Sequence, residues 1–308
     1  MSAAVAEVYS LADLERWTVT TAGISPPLLL AVCGDPVAHS ASPPMHNAGL
    51  QELGIEARYT RLHLRPDDLP RAFELFRAIP FIGVNCTIPH KLAALQLVDV
   101  VDESARRAGG VNTVKVGKDG CLTGHSTDGA GFSRAVREAF GNSLEGYRVA
   151  VLGAGGGAGR AVAMQCAFEG SPSVSLINRT VEKVNPLADE IRSEFQGCRV
   201  SVSSFDEFSI KEQLAQSDLI VNCTALGMKP GDAAPISGEL IQPRHVVYDT
   251  IYTTARTPLM RAADDAGAPS QNGFSMLLHQ GVLSFEIWFD REAPLEVMRS
   301  ALMAVARK

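Results

Sequence analysis

The chain has 308 residues, of which 46% are hydrophobic and 20% are charged, and its formal net charge at pH 7 is -6. This length favours two domains over one and allows a substantial buried core. The acidic balance and the lack of a long Lys/Arg run argue against nucleic acid as the main partner. The longest apolar runs, such as residues 28–33, are too short to span a bilayer, so we expect no membrane segment.

The N-terminus and the cysteines indicate a cytoplasmic protein. Acidic residues come early, at Glu7, Asp13 and Glu15, where a signal peptide would have a basic segment and then an apolar one. The six cysteines are scattered and form no C-x-x-C pair. Because Cys33 and Cys223 lie in strand-like apolar stretches, we expect reduced, buried thiols there.

Short apolar runs alternate with amphipathic, Ala-rich segments along most of the chain. This alternation is typical of a parallel sheet covered by helices, so the sequence predicts an α/β fold. The predicted strands are residues 28–33, 59–64, 82–86, 148–152, 173–177, 218–222 and 246–249. The predicted helices are residues 43–53, 69–78, 129–140, 160–168, 180–195, 257–266, 273–288 and 294–305. A domain boundary is predicted between Asp128 and Gly129, because a Gly-rich segment typical of nucleotide-binding domains starts soon afterwards.

Polar residues follow the first predicted strand, at the edge of the sheet where open α/β folds bind ligands. Ser40 and Ser42 lie just before a helix that begins with Pro43. Two hydroxyls in this position can bind a carboxylate at the helix N-terminus. A second interpretation remains open, in which Ser42 is only the N-cap of that helix.

Lys91 follows Pro89 and is predicted to stand at the start of another helix. A cation is unfavourable at the positive end of a helix dipole, so a lysine there releases its proton more readily and can exchange it near neutral pH. The alternative is an exposed lysine without a catalytic role, which is the commoner case. Asp128 stands at the start of a later helix, where it is either a cap or the partner of a lysine.

A buried-strand pattern at residues 148–152 leads into a Gly-rich loop and then an Ala-rich helix. The loop contains Gly153, Ala154, Gly155, Gly156 and Gly157. Glycines permit the tight turn and let the backbone approach a pyrophosphate, which the helix N-terminus then stabilises. Since the loop stands between a strand and a helix, with another strand after it, the pattern predicts a dinucleotide site rather than a structural turn.

The end of the next strand indicates which dinucleotide binds. The strand at residues 173–177 ends in Asn178, Arg179 and Thr180, and Lys183 follows one turn later. NAD sites usually have Asp or Glu at this point, whereas an arginine can bind the 2′-phosphate of NADP through several donors. If these cations were merely solvated, they would oppose the helix dipole without a reason. The sequence therefore favours NADP.

Together these clusters resemble the shikimate dehydrogenase family, from about Leu28 to the end of the chain. Four of the family's patterns precede the Gly-rich loop: G-x-P-x-x-H-S-x-S-P-x-x-H-N at 34–47, G-x-N-x-T-x-P-x-K at 83–91, V-N-T at 111–113 and T-D-G-x-G-F at 127–132. Five more follow: G-A-G-G at 153–156, N-R-T at 178–180, N-x-T-x-x-G-M at 222–228, Y-D-x-x-Y at 248–252 and M-L-x-x-Q-G at 276–281. Each pattern is modest alone, but the ordered set is very specific.

The resemblance implies roles for individual residues. Ser40 and Ser42 would bind the substrate carboxylate, and Lys91 and Asp128 would form the catalytic pair. The residues implied to hold the substrate ring and hydroxyls are Asn85, Thr87, Asn112, Tyr252 and Gln280. The residues implied to bind NADP are Gly153, Ala154, Gly155, Gly156, Gly157, Asn178, Arg179, Thr180, Lys183 and Thr224, with Gly273 and Met276 near the nicotinamide. The implied architecture is a catalytic domain of residues 1–128 and 273–308 and a doubly wound, Rossmann-like NADP-binding domain of residues 129–272.

The residue types suit the implied reaction, the reversible reduction of 3-dehydroshikimate to shikimate by NADPH. Negative charge builds on the ketone oxygen as the hydride arrives, and a protonated Lys91 can stabilise that charge and then donate its proton. Asp128 would bind the substrate and orient the lysine. We expect no metal, because no His/Cys cluster has ligand spacing, and we interpret His46 and His90 as packing or surface residues.

Three features depart from the family pattern. The Gly-rich loop is one residue longer than usual, with Gly157 or Gly159 as the extra residue. His125 and Ser126 stand where the family often has Asn before Thr-Asp. Thr254 replaces a proline that is common after Tyr252. None of these changes removes an implied catalytic group.

Two other functions remain open. A quinate dehydrogenase, or an enzyme that accepts both quinate and shikimate, would share the scaffold, although such enzymes tend to have Thr where Ser42 stands and, with NAD, an acid near Asn178. A non-catalytic NADP-binding regulator is the alternative from another class, and the presence of both Lys91 and Asp128 argues against it. The expected partner is a small-molecule substrate. We expect a monomer or a homodimer, and the sequence does not decide between them.

Overall fold

The structure is a computed structural model, and it describes residues 6–252 and 256–306. The chain divides into two compact units: Met1–Thr127 with Gln280–Lys308, and Asp128–His279. The second division falls inside a helix, so no loop or change in composition marks it in the sequence.

The first unit contains a seven-stranded mixed sheet. Its strands are β1 (Tyr9–Ser10), β2 (Leu28–Gly34), β3 (Arg58–His63), β4 (Gly83–Cys86), β5 (Val100–Val101), β6 (Thr113–Val116) and β7 (Leu122–His125). They lie in the order β1-β3-β2-β4-β6-β7-β5, and only β6 pairs antiparallel, with β4 and with β7. Its helices before the division are α1 (Leu11–Leu14), α2 (Trp17–Thr20), α3 (Ser42–Glu52), α4 (Leu69–Ala78), α5 (Lys91–Ala94) and α6 (Glu103–Ala108).

The second unit contains a six-stranded sheet in which every pair is parallel. Its strands are β8 (Arg148–Leu152), β9 (Ser173–Ile177), β10 (Arg199–Ser203), β11 (Leu219–Asn222), β12 (Val246–Asp249) and β13 (Ser270–Asn272). Its helices are α7 (Asp128–Phe140), α8 (Gly157–Phe168), α9 (Asn185–Glu194), α10 (Glu207–Ala215) and α11 (Pro258–Asp265). The chain then continues through α12 (Phe274–Phe289), which contains the division, and α13 (Leu295–Ala306).

The strand order of the second sheet is that of a doubly wound nucleotide-binding fold. The order is β10-β9-β8-β11-β12-β13, so the chain reverses direction across the sheet between β8 and β11. Ligands of such sheets bind at the carboxyl ends of the strands beside this reversal. Along β8, Val149 and Val151 belong to one hydrophobic cluster and Ala150 and Leu152 to another, which explains the continuous apolar run of a strand covered on both faces.

Some sequence-based boundaries are wrong. The predicted helix 180–195 is a 3-10 turn (Val181–Lys183) followed by α9, because Pro186 lies in the first turn of α9 and cannot continue an earlier helix. The predicted helix 160–168 starts three residues earlier, at Gly157. The short strands β6 and β7 are absent from the prediction, because each has only four residues and alternates apolar with polar side chains.

The described part of the N-terminal segment belongs to the first unit. β1 pairs parallel with β3 and is the strand at the edge of the sheet. Ser10 and Asp13 form a capping box on α1. Trp17 is buried, packs against Tyr9 and Phe81, and donates a hydrogen bond to the Leu28 carbonyl at 3.4 Å. This segment therefore closes one side of the hydrophobic core.

We expect Trp17→Ala to lower the free energy of unfolding by about 3–5 kcal/mol, because it removes a large side chain from a packed core. Val19 lies on the same helix with 78% of its surface exposed, and Val19→Ala should change stability by no more than about 0.5 kcal/mol. Urea unfolding of both variants measures the difference. Equal stabilities for the two variants would mean that the segment does not contribute to the core.

Candidate active site

The loop after β2 carries Ser40 and leads directly into α3. Ser42 is the first residue of α3, the N-cap is Ala41, and the alanine side chain makes no capping hydrogen bond. The interpretation of Ser42 as a simple N-cap is therefore wrong. The backbone N–H of Ser42 donates to the Ser40 hydroxyl at 3.3 Å, which holds the two serines together.

Asn85, at the carboxyl-terminal half of β4, is the centre of a buried hydrogen-bond network. Its Oδ1 accepts a hydrogen bond from the Tyr59 hydroxyl at 2.6 Å. Its Nδ2 lies 3.0 Å from the Asn112 carbonyl oxygen and 3.1 Å from the hydroxyls of Thr113 and Ser284. Burial raises the pKa of Tyr59 well above its usual value, against the effect of a hydrogen bond with Ser42, so the phenol is a neutral donor. Tyr59 therefore links the serine loop (residues 40–42) to Asn85.

The same network reaches α12 through the side chain of Asn112. The Asn112 Nδ2 donates to the Thr127 hydroxyl at 2.8 Å and to Gln280 Oε1 at 3.3 Å, and the Thr127 N–H donates to Asn112 Oδ1 at 2.8 Å. The Ser284 hydroxyl donates to the Gln280 carbonyl oxygen at 2.9 Å. The first unit thus brings together three predicted substrate residues, Asn85, Asn112 and Gln280.

Four members of this network were not predicted as site residues: Tyr59, Thr113, Thr127 and Ser284. Thr113 and Thr127 stand inside the V-N-T and T-D-G patterns, so the motifs did contain their signal. Ser284 lies four residues after Gln280, a spacing that puts both residues on one face of a helix. Tyr59 carries no comparable signal, because its partners Asn85 and Ser42 lie on another strand and on a helix.

Thr87 and Lys91 follow β4. Thr87 is half-buried, and its methyl group would lie 2.4 Å from a Cβ added at Gly34, so the two chain segments are in close contact. Lys91 opens α5, and its carbonyl accepts a hydrogen bond from the Val111 N–H at 2.8 Å. Because α5 is a single turn, its dipole is small, so the penalty that the sequence predicts for a cation at its start is small as well. Exposed Ile88 and Leu92 flank the lysine on either side in the chain.

Asp128 is the first residue of α7 and is 6% exposed. It follows Thr127 directly in the chain, at the point where the chain passes from the first unit to the second. Its carboxylate stands in the first turn of a helix of 13 residues, where a negative charge is favourable.

In the second unit the Gly-rich loop connects β8 to α8 beside the reversal of strand order. The Gly155 N–H donates to Asn178 Oδ1 at 3.2 Å, and the Asn178 Nδ2 donates to the Thr180 carbonyl at 2.7 Å. Asn178 therefore connects the loop to the end of β9. Arg179 and Lys183 are exposed, so their charges can meet an anion from solvent.

The extra glycine of the loop can be assigned from the packing. A Cβ at Gly159 would lie 2.3 Å from the Gly153 carbonyl oxygen and 2.8 Å from the Ala154 Cα. A Cβ at Gly157 would have no atom of the described residues within 4 Å, apart from its chain neighbours and the backbone of its own helix. The close contact between helix and loop thus requires glycine at position 159, whereas a larger residue would fit at position 157. We therefore assign Gly157 as the extra residue.

The remaining predicted cofactor residues lie close to this loop or at the start of α12. The Thr224 methyl group would lie 2.8 Å from a Cβ at Gly153, so Thr224 packs against the loop. The Met276 N–H donates to the Tyr248 hydroxyl at 3.0 Å, and a Cβ at Gly273 would lie 2.1 Å from the Thr250 carbonyl oxygen. Among the residues the structure describes, no three His, Cys, Asp or Glu side chains are grouped to hold a metal ion.

Tyr252, predicted to bind substrate, is half-buried in the second unit, and its ring centroid lies 6.0 Å from that of Phe274. Thr254, the third departure from the family pattern, lies outside the described residues. None of the described helices is both long enough and apolar enough to cross a bilayer.

His46 and His90 pack within the first unit, as the sequence analysis interpreted them. His46 is fully buried, and its ring stacks on Tyr59 with centroids 4.4 Å apart. Neither of its ring nitrogens has a hydrogen-bond partner among the residues that the structure describes. Burial lowers the pKa of His46 to about 3, so the imidazole is neutral in the folded protein. The Nε2 of His90 is 2.7 Å from the Leu64 carbonyl oxygen.

The burial of His46 predicts a loss of stability in acid. Below its ordinary pKa of 6.5 the unfolded chain takes up a proton that the folded protein does not, so the free energy of unfolding falls as the pH falls. From about pH 7.5 to about pH 5 the loss from this residue is about 2 kcal/mol. His46→Phe should remove that part of the pH dependence, whereas His39→Phe, at an exposed position, should keep it. Identical slopes for His46→Phe and the unmodified protein would contradict the assignment.

The packing at the Gly-rich loop predicts different results for two neighbouring alanine substitutions. Gly159→Ala should lower the melting temperature and weaken NADP binding, because its Cβ meets backbone atoms that cannot move aside. Gly157→Ala should not lower the melting temperature, since alanine has the better helix propensity by about 1 kcal/mol. Thermal unfolding of both variants tests this, and a stable Gly159→Ala variant would count against the close approach.

Three family models match consecutive parts of the chain. Residues 32–114 match the shikimate dehydrogenase substrate binding domain. Residues 134–228 match shikimate / quinate 5-dehydrogenase, and residues 273–303 match the shikimate 5'-dehydrogenase C-terminal domain. The matches therefore extend over both units.

Relatives match nearly the whole chain. The NADP(+) shikimate dehydrogenase of Symbiobacterium thermophilum is 40% identical over 281 residues, which are 91% of this chain and 95% of the relative. The shikimate 5-dehydrogenase of Thermus thermophilus, solved in complex with NADP(H) and shikimate, has a TM-score of 0.79 and 35% identity, and the match covers 90% of this chain and 99% of that one. The quinate dehydrogenase from Corynebacterium glutamicum, solved with NAD, has a TM-score of 0.81 and 28% identity, with 90% and 99% covered.

These similarities confirm the resemblance and the α/β fold that the sequence predicted. The chain belongs to the shikimate dehydrogenase family.

Proposed function

We propose that this chain is an NADP-dependent oxidoreductase that reversibly reduces 3-dehydroshikimate to shikimate, a step of aromatic amino acid (chorismate) biosynthesis. The observation that carries the proposal is the buried network joining Asn85, Asn112 and Gln280, three residues from distant parts of the chain. A hydrogen-bonded cluster of this kind suits a ligand with several hydroxyl groups. The 40% identity to an NADP(+) shikimate dehydrogenase over 91% of the chain supports the same substrate.

Substrate binding would combine the serine loop with this network. Ser40 and Ser42 would bind the carboxylate, and Asn85, Thr87, Asn112, Tyr252 and Gln280 the ring and its hydroxyls. The two amide hydrogens of Asn85 face three acceptors within the protein, so Oδ1 is the atom that would accept a hydrogen bond from a substrate hydroxyl.

Lys91 and Asp128 would form the catalytic pair. NADPH, when bound, supplies the hydride to the carbonyl carbon. Lys91 would stabilise the negative charge that develops on the carbonyl oxygen and donate a proton to it, and it would accept that proton in the reverse direction. Asp128 would hydrogen-bond the substrate and orient the lysine. The buried position of Asp128 at the start of α7 supports an oriented carboxylate.

The second unit has the features that NADP requires. The loop of Gly153, Ala154, Gly155, Gly156 and Gly157 precedes the N-terminus of α8, which suits a pyrophosphate. The residues that would meet the adenosine 2′-phosphate are Asn178, Arg179, Thr180 and Lys183. Exposed Arg179 and Lys183 fit a doubly charged phosphate better than a ribose hydroxyl. Thr224, Gly273 and Met276 would complete the cofactor site.

The proposed domains are a substrate domain of residues 1–128 and 273–308 and an NADP domain of residues 129–272. The family matches, which give the substrate binding domain to residues 32–114, support this division of labour. We propose a cytoplasmic location, supported by six free cysteines. Among them the Cys33 thiol donates a hydrogen bond to Cys86 Sγ at 3.6 Å, and the two form no disulfide. For the oligomeric state, a monomer or a homodimer remains the proposal.

Quinate is the alternative substrate, since a quinate dehydrogenase is among the similar structures. Ser42 and the absence of an acid at Asn178 favour shikimate with NADP. A regulator without activity is the second alternative, and the retention of Lys91 and Asp128 disfavours it.

A steady-state comparison of shikimate and quinate, each with NADP and NAD, tests the function. Shikimate with NADP should have the highest kcat/KM of the four pairs. Lys91→Ala should lower kcat by about a thousandfold, because it removes the proton donor. Lys118→Ala, an exposed lysine in the turn between β6 and β7, should keep normal kinetics.

Three results would contradict the proposal in different ways. A higher kcat/KM with quinate or with NAD would make the substrate or cofactor assignment wrong. Near-normal kcat in Lys91→Ala would leave the reaction standing and exclude the assigned proton donor. Tight NADPH binding without any turnover would support the regulator instead.

A further inference from the structure

The loop that carries Ser40 is held by an arginine outside the predicted site. Arg61 lies on β3, whose residues the motifs do not include. Its guanidinium donates two hydrogen bonds to the Ser40 carbonyl oxygen, from Nη2 at 2.7 Å and from Nε at 3.2 Å. Since Ser42 is tied to the Ser40 hydroxyl, this double contact fixes the position of both serines.

The guanidinium is partly removed from water. Arg61 is half-buried and lines a cavity of about 780 Å³ together with Pro43 and Pro44, the first prolines of α3, and with Glu7. Burial lowers the pKa of Arg61 from its ordinary value, which the negative charge of exposed Glu7 partly offsets, and the group remains charged at neutral pH. A partly desolvated positive charge thus contacts the backbone of the segment that presents the serine hydroxyls.

A charge in this position acts on whatever the serines bind. Hydrogen bonds from neutral hydroxyls recognise a carboxylate and a neutral carbonyl group alike, so two serines alone discriminate weakly between an acid and its ester. A guanidinium within several ångströms adds an attraction that only the anion experiences, and partial burial reduces the screening of that attraction by water.

We propose that Arg61 is a positioning and specificity residue, which fixes the Ser40–Ser42 loop through the Ser40 carbonyl and favours a substrate that carries a carboxylate there. This inference deepens the proposed function and rests on it, because it takes the two serines as the carboxylate site. It adds a residue from a different strand, which acts without touching the substrate.

Arg58 offers a matched control on the same strand. It lies three residues before Arg61, lines the same cavity and likewise donates to a backbone carbonyl, that of Ser25 at 3.4 Å. That hydrogen bond does not involve the serine loop. A substitution of Arg58 therefore shows what the loss of an arginine from β3 does to the kinetics when the contact with the Ser40 carbonyl stays intact.

The test compares Arg61→Gln, Arg61→Lys and Arg58→Gln with the unmodified enzyme, on shikimate and on its methyl ester. Arg61→Gln should raise the KM for shikimate about tenfold, with kcat and the KM for NADP within about twofold, because the lost contact acts in binding and not in the chemical step. The ratio of kcat/KM for the acid to that for the ester should fall about fivefold. Arg61→Lys should retain most of that ratio, since it keeps the charge and loses only the double contact. Arg58→Gln should behave like the unmodified enzyme.

Each other outcome has a defined meaning. An unchanged KM in both Arg61 variants would overturn the proposal while the proposed function stood. An equal loss for acid and ester in Arg61→Gln would exclude the electrostatic part, because a purely structural defect affects both substrates alike. If Arg61→Gln fails to fold, as checked by circular dichroism, the KM of Arg61→Lys decides. A higher KM for shikimate in Arg61→Lys than in Arg58→Gln supports the positioning contact, and equal KM values in these two variants overturn the proposal. No activity of the unmodified enzyme on shikimate would instead contradict the proposed function itself.

Discussion

The first unit depends on one constraint, that a buried polar side chain without a hydrogen-bond partner costs free energy, so nearly all such side chains are paired. Asn85, Asn112 and Thr113 lie on or beside the central strands of the sheet and are almost completely buried. Their amides and hydroxyls are satisfied by one another, by Tyr59 and Thr127, and by Gln280 and Ser284 on α12. Because an unpaired amide in this position costs about 1–3 kcal/mol, the network specifies where α12 must lie in this unit.

The return of the chain in α12 follows from this constraint and from packing. Ser284 and Gln280 supply the polar contacts, and four residues further on the Trp288 Nε1 donates to the Val114 carbonyl at 2.9 Å. A Cβ at Gly83 would lie 2.0 Å from that indole nitrogen, so glycine at position 83 is what lets the tryptophan reach the sheet. The same helix thus joins the core and presents Gln280 beside Asn112, which connects the stability of this unit to the geometry of its candidate site.

The elements that could be predicted are those whose signal is local. The strands 148–152, 173–177 and 246–249 were predicted with their observed bounds, because both faces of a central parallel strand are covered and the sequence is apolar throughout. The edge strands β1, β10 and β13 were missed, since short or half-exposed strands lack that signal. The hairpin of β6 and β7 was missed for the same reason, although it holds Asn112 next to its first strand.

The sequence by itself determined the α/β class, the Gly-rich loop, the preference for NADP and the residue types of the chemistry, because each is encoded in residues that are neighbours in the chain. Only the tertiary structure decided which side chains form hydrogen bonds with the candidate site residues and hold them in position. Asn85 and Ser284, which are hydrogen-bonded, are 199 positions apart in the chain. Arg61 and Ser40, which are also hydrogen-bonded, are 21 positions apart. Contacts of this kind depend on the order of strands in a sheet and on the path of a returning helix. Sequence periodicity reports only which face of a single helix or strand is buried. It contains no information about the order of strands or the path of a returning helix.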